Sequence, residues 1–501
     1  MRGIGVAFNS YITSHIGAQG MGLLTLTSGI FGFAITLATS GINLAVVRLV
    51  SEDLAKKGER IGRIMSSALI YCLIFSVSTS LLLFFNADFV ASILGDKRTL
   101  LSIKLFSISL VPISISSAIN GYFCAIRRVY KNLIVQFIEQ GIKISAVSYL
   151  IILFAPSGLE FACTAIIAGG VISEAMSAVL SCILYFIDRS KSSQPSDICI
   201  SASKGELGKI CAVALPVAIS AYARSALSAI EHLAIPWGLR QYGLNYESAI
   251  SSFGVLHGMV FPLLFFPSAI LGSFSSLLIP ELAEANTRAN SRRIKYIVSR
   301  AFALSLLFSV GVSGIFVSFS YEIGLFLYNS SEAGEYIRLL APLIPLMYLD
   351  GAVDAMLKGL GEQVYAMRVN ISDSLISLLL VLILLPRLGI KGYIIIIFVT
   401  EIFNTSFSII KLLSLTNVKT PVVKWILKPL VTIILSTAIT RFLFDYNIMT
   451  AVFGIVSYGK GYVGIEIIAC ALLYLIISRL IGAISKDDVE WGKQILSLKK
   501  S

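Results

Sequence analysis

The chain is 501 residues long, 56% hydrophobic and only 14% charged, with a mean hydropathy of +0.86, which excludes a soluble globular protein of this size. Its apolar runs are long and do not alternate, so an outer-membrane barrel is excluded too. The net charge of +12 points to positive loops against a membrane surface rather than to nucleic acid.

The expected fold class is an all-α polytopic membrane protein with about fourteen spans of ~20 residues each. The first run, 1–16, is half apolar and carries Arg2 and Asn9, and it reads as the later part of a first membrane helix. Spans two to six fall at 23–47, 64–85, 101–126, 133–154 and 159–187. A Ser- and Lys-rich stretch, 188–206, reads as a cytoplasmic linker. Spans seven and eight, 207–233 and 249–279, are read as two long helices forming one wall of a transport cavity. Spans nine to twelve follow at 294–319, 336–361, 367–385 and 390–413, and two more at 426–444 and 463–484 close the membrane part. The tail, 485–501, opens with a capping-box pattern and reads as a short interfacial helix. The expected organisation is thus an N-terminal lobe 1–187, the linker, a C-terminal lobe 207–414, two additional helices within 415–484, and the tail.

Basic residues set the orientation. Alternate loops hold 28 of the 40 Lys and Arg, and the intervening loops hold nine. By the positive-inside rule the linker and the C-terminus are cytoplasmic. Two internal matches indicate a repeat of six spans. Arg48-Leu-Val-Ser-Glu52 at the end of span two parallels Leu278-Ile-Pro-Glu281 at the end of span eight. Gln136 and Glu139 of span five parallel Asn370 and Asp373 of span eleven. A parallel repeat is a transporter plan, two lobes around a central cavity.

Charged residues inside spans are costly and mark pathways or internal partners. Gln136, Glu139, Gln140 and Lys143 share one face of span five, at i, i+3, i+4 and i+7. Glu139 and Lys143 can form a structural ion pair, or the stripe can meet a substrate headgroup or a coupling ion. Arg224, Ser228, Glu231 and His232 share a face of span seven. Arg224 can pair with Glu231 or face the cavity, and the cavity is the expectation. Arg2, Lys143 and Arg224 are the intramembrane cations, and the guanidinium fork suits phosphate. In span ten, Asp354 and Lys358 read as an interfacial pair. Asp350 lies deeper, as a candidate for cavity lining or for coupling to H⁺ or Na⁺. Glu174, Glu401 and Glu466 are single acids without a visible partner. The seven cysteines and the three histidines (His15, His232, His257) form no metal motif.

Four stretches carry a resemblance. They are Arg2 with Gly17-Ala-Gln-Gly-Met-Gly22, and Gln136-Phe-Ile-Glu139-Gln140-Gly-Ile-Lys143. The others are Glu231 followed by Gly254, Gly258, Pro262-Leu263, Pro267 and Pro280, and Gly359-Leu-Gly361. Together they resemble the stage V sporulation protein B group of polysaccharide and lipid flippases, within the multidrug/oligosaccharidyl-lipid/polysaccharide flippase superfamily. Two departures are the short first run and Pro236-Trp-Gly, where the family often has basic residues.

The resemblance implies a flippase that moves a polyprenyl-diphosphate-linked saccharide across the cytoplasmic membrane by alternating access. The headgroup would cross between the lobes, and the lipid tail would follow a groove bordered by spans thirteen and fourteen. The expected partners are that lipid-linked oligosaccharide and membrane lipids. No nucleic acid, no catalysis and no cofactor beyond a coupling H⁺ or Na⁺ are expected, and the unit is expected to be a monomer. The rival readings are a drug/cation antiporter of the same superfamily, which would want an acid-dominated cavity, and a membrane-embedded enzyme, which would need large loops or a metal-binding Asp-x-Asp.

Overall fold

The computed structural model describes residues 2–56, 60–191, 204–418, 421–445 and 460–483. Among the described residues every regular element is a helix, as the long apolar runs require: without water, a backbone must satisfy its own polar groups. Among the described residues twelve helices are long and apolar enough to cross a membrane. Two of them, Gly3–Ala55 and Gln363–Thr416, run to 53 and 54 residues. At 1.5 Å per residue each would extend ~80 Å, more than twice a ~30 Å hydrocarbon layer. Each is broken at a glycine in the left-handed region, Gly17 (φ 66°) and Gly389 (φ 59°), where a side chain would be strained. Read as two passes each, they bring the total to the expected count of about fourteen.

The chain runs α1 (Arg2–Thr39), α2 (Ile42–Lys56), α3 (Ile61–Phe85), α4 (Ala87–Leu94), α5 (Leu100–Ala125), α6 (Val129–Phe154), α7 (Leu159–Lys191) and α8 (Lys204–Gln241). Then come α9 (Tyr246–Phe253), a π-helical turn (Gly254–Val260), α10 (Phe261–Phe265), α11 (Ser268–Thr287) and α12 (Ser291–Ser318). The rest is α13 (Ser320–Tyr328), α14 (Ser331–Leu340), α15 (Ile344–Gly359), α16 (Gln363–Thr416), a second π turn (Val423–Leu427), α17 (Lys428–Asp445) and α18 (Lys460–Leu480).

Two expectations change. Span eight is not one helix: its glycines and prolines split it into α9, the π turn, α10 and α11, the last break falling at Phe266 and Pro267. The linker is shorter than read, because Asp188 lies within α7 and Lys204–Glu206 already belong to α8; 192–203 lies outside the described residues. The tail helix, 485–501, also lies outside them.

The described chain forms two compact units. One comprises His15–Trp237 and Leu244–Gly254; the other comprises Arg2–Ser14, Gly238–Gly243 and the chain from Val255. These units divide differently from the lobes read at 188–206, since α8 joins the first unit up to Trp237 and the start of α1 joins the second. Local contacts explain both exchanges. In the first unit α8 packs on α1, with Gly29 against the His232 ring and Gly41 against the Ala214 carbonyl. In the second, Asn9 Nδ2 donates to the Gly258 carbonyl at 2.6 Å and Ser10 donates to the Leu327 carbonyl.

The first unit's core is built from α2, α3 and α5, around Ile42, Met65, Tyr71, Ile119 and Phe123. Within that unit α1 and α9 also touch backbone to backbone. A Cβ at Gly254 would stand 2.2 Å from the Ala18 oxygen, and one at Gly22 2.1 Å from the Ile250 oxygen. Two glycine motifs that look separate in sequence are therefore the two sides of one crossing.

The second unit's core joins α11, α12 and α15 around Leu278, Val298, Phe302, Val353 and Met356. The two additional helices belong to this unit. Trp425 stacks on Phe302 with ring centroids 5.5 Å apart, and the Tyr474 hydroxyl donates to the Leu307 carbonyl at 2.7 Å. Arg441 ties α17 to the Ser318 carbonyl and to Glu322, with its guanidinium over the Phe319 ring.

Candidate functional site

In the first unit, α6 and α8 carry the intramembrane charges. Lys143 is the fifteenth of 26 residues in α6, and Arg224 the twenty-first of 38 in α8. Both side chains are exposed, and neither forms a salt bridge. The Glu139–Lys143 ion pair, one of the two readings of this stripe, is not made. Glu139, half-buried, instead accepts a hydrogen bond from Ser177 of α7 at 2.8 Å, which draws it to the neighbouring helix, and Lys143 lies within electrostatic reach of Glu174 on that helix. Gln136 is exposed one turn earlier. Arg224 is not paired with Glu231; among the described residues it makes no hydrogen bond or ion pair, whereas Glu231 is engaged and half-buried. A free mid-helix cation facing hydrocarbon is costly, so both must meet water or an anion. Arg2 opens α1, but its side chain lies outside the described residues.

The same unit has a charge cluster at the other end of its helices. Asp188, 3% exposed, binds Arg128 and Lys131 and accepts from the Tyr122 hydroxyl at 3.0 Å. These residues join the ends of α5, α6 and α7. The cations are fully engaged, and the cluster reads as a structural clasp.

In the second unit, the acids of α15 meet amides of α16. Asn404 Nδ2 donates to Asp350 Oδ2 at 3.2 Å and reaches Asn370 Oδ1 at 3.4 Å. Asn370 Nδ2 in turn reaches Asp354 Oδ2 at 3.5 Å, and Lys358 Nζ lies 3.5 Å from the same oxygen. The Asp354–Lys358 pair is therefore present. Three oxygens of this group, Asp350 Oδ1, Asp354 Oδ1 and Asn404 Oδ1, are buried with no hydrogen-bond partner. Glu401 lies one turn before Thr405 and accepts its hydroxyl at 3.2 Å. Sequence reasoning missed Asn404 and left Glu401 unassigned. A signal existed: Glu401, Asn404, Thr405 and Ser408 lie on one helical face of an otherwise apolar run.

At the end of α11, Glu281 pairs with Arg293 at 3.7 Å. Burial raises the Glu281 carboxyl above its ordinary pKa, and the arginine opposes that shift. Arg48 and Glu52, the parallel stretch in sequence, pair at 2.9 Å.

Comparison with known proteins fits this arrangement. Residues 1–244 match the family model described as polysaccharide biosynthesis protein. The chain is 28% identical over 402 residues to stage V sporulation protein B of Bacillus subtilis (strain 168), covering 78% of this chain and 76% of that one. Sporulation protein YkvU of the same organism is 21% identical over 283 residues, 56% of this chain and 63% of that protein. In fold the chain is similar to an inward-facing multidrug resistance MATE family transporter of the MOP superfamily. That match has a TM-score of 0.68 and 15% identity, covering 84% of this chain and 96% of that one. It is equally similar to the lipid II flippase MurJ in an inward closed conformation. There the TM-score is 0.68 and the identity 13%, covering 95% and 96% of the two chains. With its long apolar helices the chain is a multi-pass membrane protein.

Proposed function

We propose that this protein flips a lipid-linked saccharide across the cytoplasmic membrane by alternating access. The observation that carries the reading is the pair of exposed, unpaired mid-helix cations in the first unit, Lys143 and Arg224. A diphosphate linking lipid to sugar is the anion such residues suit, with Arg224 offering a bidentate fork and Lys143 a point charge. Gln136 and Glu139, on the same helix as Lys143, offer acceptors and donors for sugar hydroxyls. Arg2 and Glu231 remain candidates on the same account. The linker and the C-terminus face the cytoplasm, the side on which such a substrate is loaded, and one chain is the working unit.

The second unit supplies the coupling. Its buried, unpartnered carboxylate and amide oxygens at Asp350, Asp354 and Asn404 suit a proton or a sodium ion. Among the described residues no three His, Cys, Asp or Glu gather as a metal-holding group, which favours these monovalent ions over a tightly held divalent one. The same acids give a second reading some support, a cation antiporter.

Purified protein in liposomes tests both readings. A labelled polyprenyl-diphosphate saccharide should cross, driven by a pH or sodium gradient, and a cationic dye should not. Arg224→Ala should abolish crossing at near-normal membrane levels, and Arg224→Lys should retain part of it. Dye export with no saccharide transport would reverse the assignment.

A further inference from the structure

We infer that a hydroxyl latch between α1 and α8 sets the rotation of α8 and thereby aims Arg224 outward, with Tyr222 and Ser225 as positioning residues. The inference rests on the reading of Arg224 as the anion contact. The latch is built at a break in the backbone. Ser40 (φ 44°) and Gly41 (φ 72°) both take left-handed conformations, which ends α1 and leaves carbonyls without helical partners. Side chains take those carbonyls. Ser114 donates to the Ala38 carbonyl at 3.0 Å, and the Tyr71 hydroxyl donates to the Ser40 carbonyl at 3.1 Å. The Ser40 hydroxyl then lies 3.0 Å from the Tyr71 hydroxyl and shares a second hydrogen bond with Tyr222 of α8. One turn back, Thr36 Oγ1 reaches Ser225 Oγ at 3.2 Å. Two hydroxyl contacts three residues apart on α8 thus grip α1.

Elsewhere the seam includes Ala214, Ala218 and Ala229, all buried, and the close Gly29–His232 and Gly41–Ala214 contacts. Small residues let helices approach closely, but they give shallow ridges that resist rotation poorly. At 3.6 residues per turn, Ala214, Ala218, Tyr222, Ser225, Ala229 and His232 fall within an arc of ~80°. Arg224 and Glu231 lie roughly 120–140° round the helix from the middle of that arc. The orientation of the latch is therefore the orientation of the arginine. A rotation of ~30° would carry a group at ~5–6 Å radius through ~3 Å, a full hydrogen-bond length.

Two measurements test this. In a protein with its seven cysteines replaced and carrying Arg224→Cys, a water-soluble thiol reagent reports how far position 224 is presented. Adding Tyr222→Phe with Ser225→Ala should slow labelling at 224, by up to roughly five-fold for each of the two neutral hydrogen bonds removed, and should leave a Ser145→Cys control on α6 unchanged. An unchanged rate at 224 overturns the latch. In the protein with native cysteines, Tyr222→Phe should raise the KM for lipid-linked saccharide by a similar factor with kcat held, and should have a smaller effect in the Arg224→Lys background, which retains part of the transport but has lost the fork that the latch aims. Equal, additive losses in both backgrounds would make Tyr222 a packing residue and overturn the inference. If the labelling result holds while unmutated protein moves no saccharide, the latch stands and the proposed substrate falls.

Discussion

The crossing of α1 and α9 gives the sharpest test of the packing. Gly254→Ala would place a methyl group 2.2 Å from the Ala18 carbonyl oxygen, 2.4 Å from the Gly22 nitrogen and 2.8 Å from the Gly22 Cα. All three atoms are backbone, so no rotamer change relieves the clash, and the helices must separate by about 1 Å to reach ordinary contact. Overpacking of this kind costs ~1–3 kcal/mol. Against it stands the ~1 kcal/mol that alanine gains over glycine inside a helix. The net expectation is a loss of up to ~2 kcal/mol from that difference, and a larger one for Gly254→Val. Gly272→Ala is the matched control: it lies in α11 with nothing within 4 Å of its would-be Cβ, and should be neutral or slightly stabilising. Thermal unfolding of the purified protein in detergent reads the difference, as a lower midpoint for Gly254→Ala and an unchanged or higher one for Gly272→Ala. Midpoints shifting together, or a Gly254→Ala protein as stable as the parent, would refute the close crossing.

Removing the carboxylate in Asp188→Ala strands Lys131, only 12% exposed, beside a second cation, so a loss of ~3–5 kcal/mol is expected, seen as sharply reduced membrane levels and melting temperature. Trp425→Ala deletes a side chain 4% exposed and stacked on Phe302; a cost of ~3–5 kcal/mol and proteolytic release of the α17–α18 segment before the rest are the expected readouts. Ser291→Cys, in the turn between α11 and α12, should resist a membrane-impermeant reagent added to intact cells and react once the membrane is opened, since that loop carries five of the basic residues counted as cytoplasmic.

Hydropathy made the membrane helices legible, because any span must present ~20 apolar residues whatever its neighbours. Asp354 and Lys358 were legible for a similar reason, since an i, i+4 spacing brings them together within one helix. The same rule misled at Glu139 and Lys143. Ser177 competes for the carboxylate from 38 residues away, and no local pattern announces it. Asn404 escaped notice because its role is a bridge between α15 and α16, visible only once Asp350 and Asn370 are neighbours. The extent of span eight was overread because period and composition cannot say whether five glycines and prolines bend a helix or divide it.

The bonds made by Asn9 and Ser10 have a consequence for the order of assembly. Their partners, Gly258 and Leu327, lie 249 and 317 residues further along the chain. At ~5–20 residues per second, a ribosome makes those partners roughly 12 to 60 s after it has made the first helix. During that interval the polar side chains of 2–14 must find temporary company, in lipid headgroups, a chaperone or the insertion machinery. The second unit closes only when its earliest and latest parts meet, so its assembly cannot proceed strictly from one end of the chain to the other. Substitutions at Asn9 or Ser10 should therefore show themselves first in cells, as slow maturation and degradation of new chains, before any defect appears in protein that has already assembled.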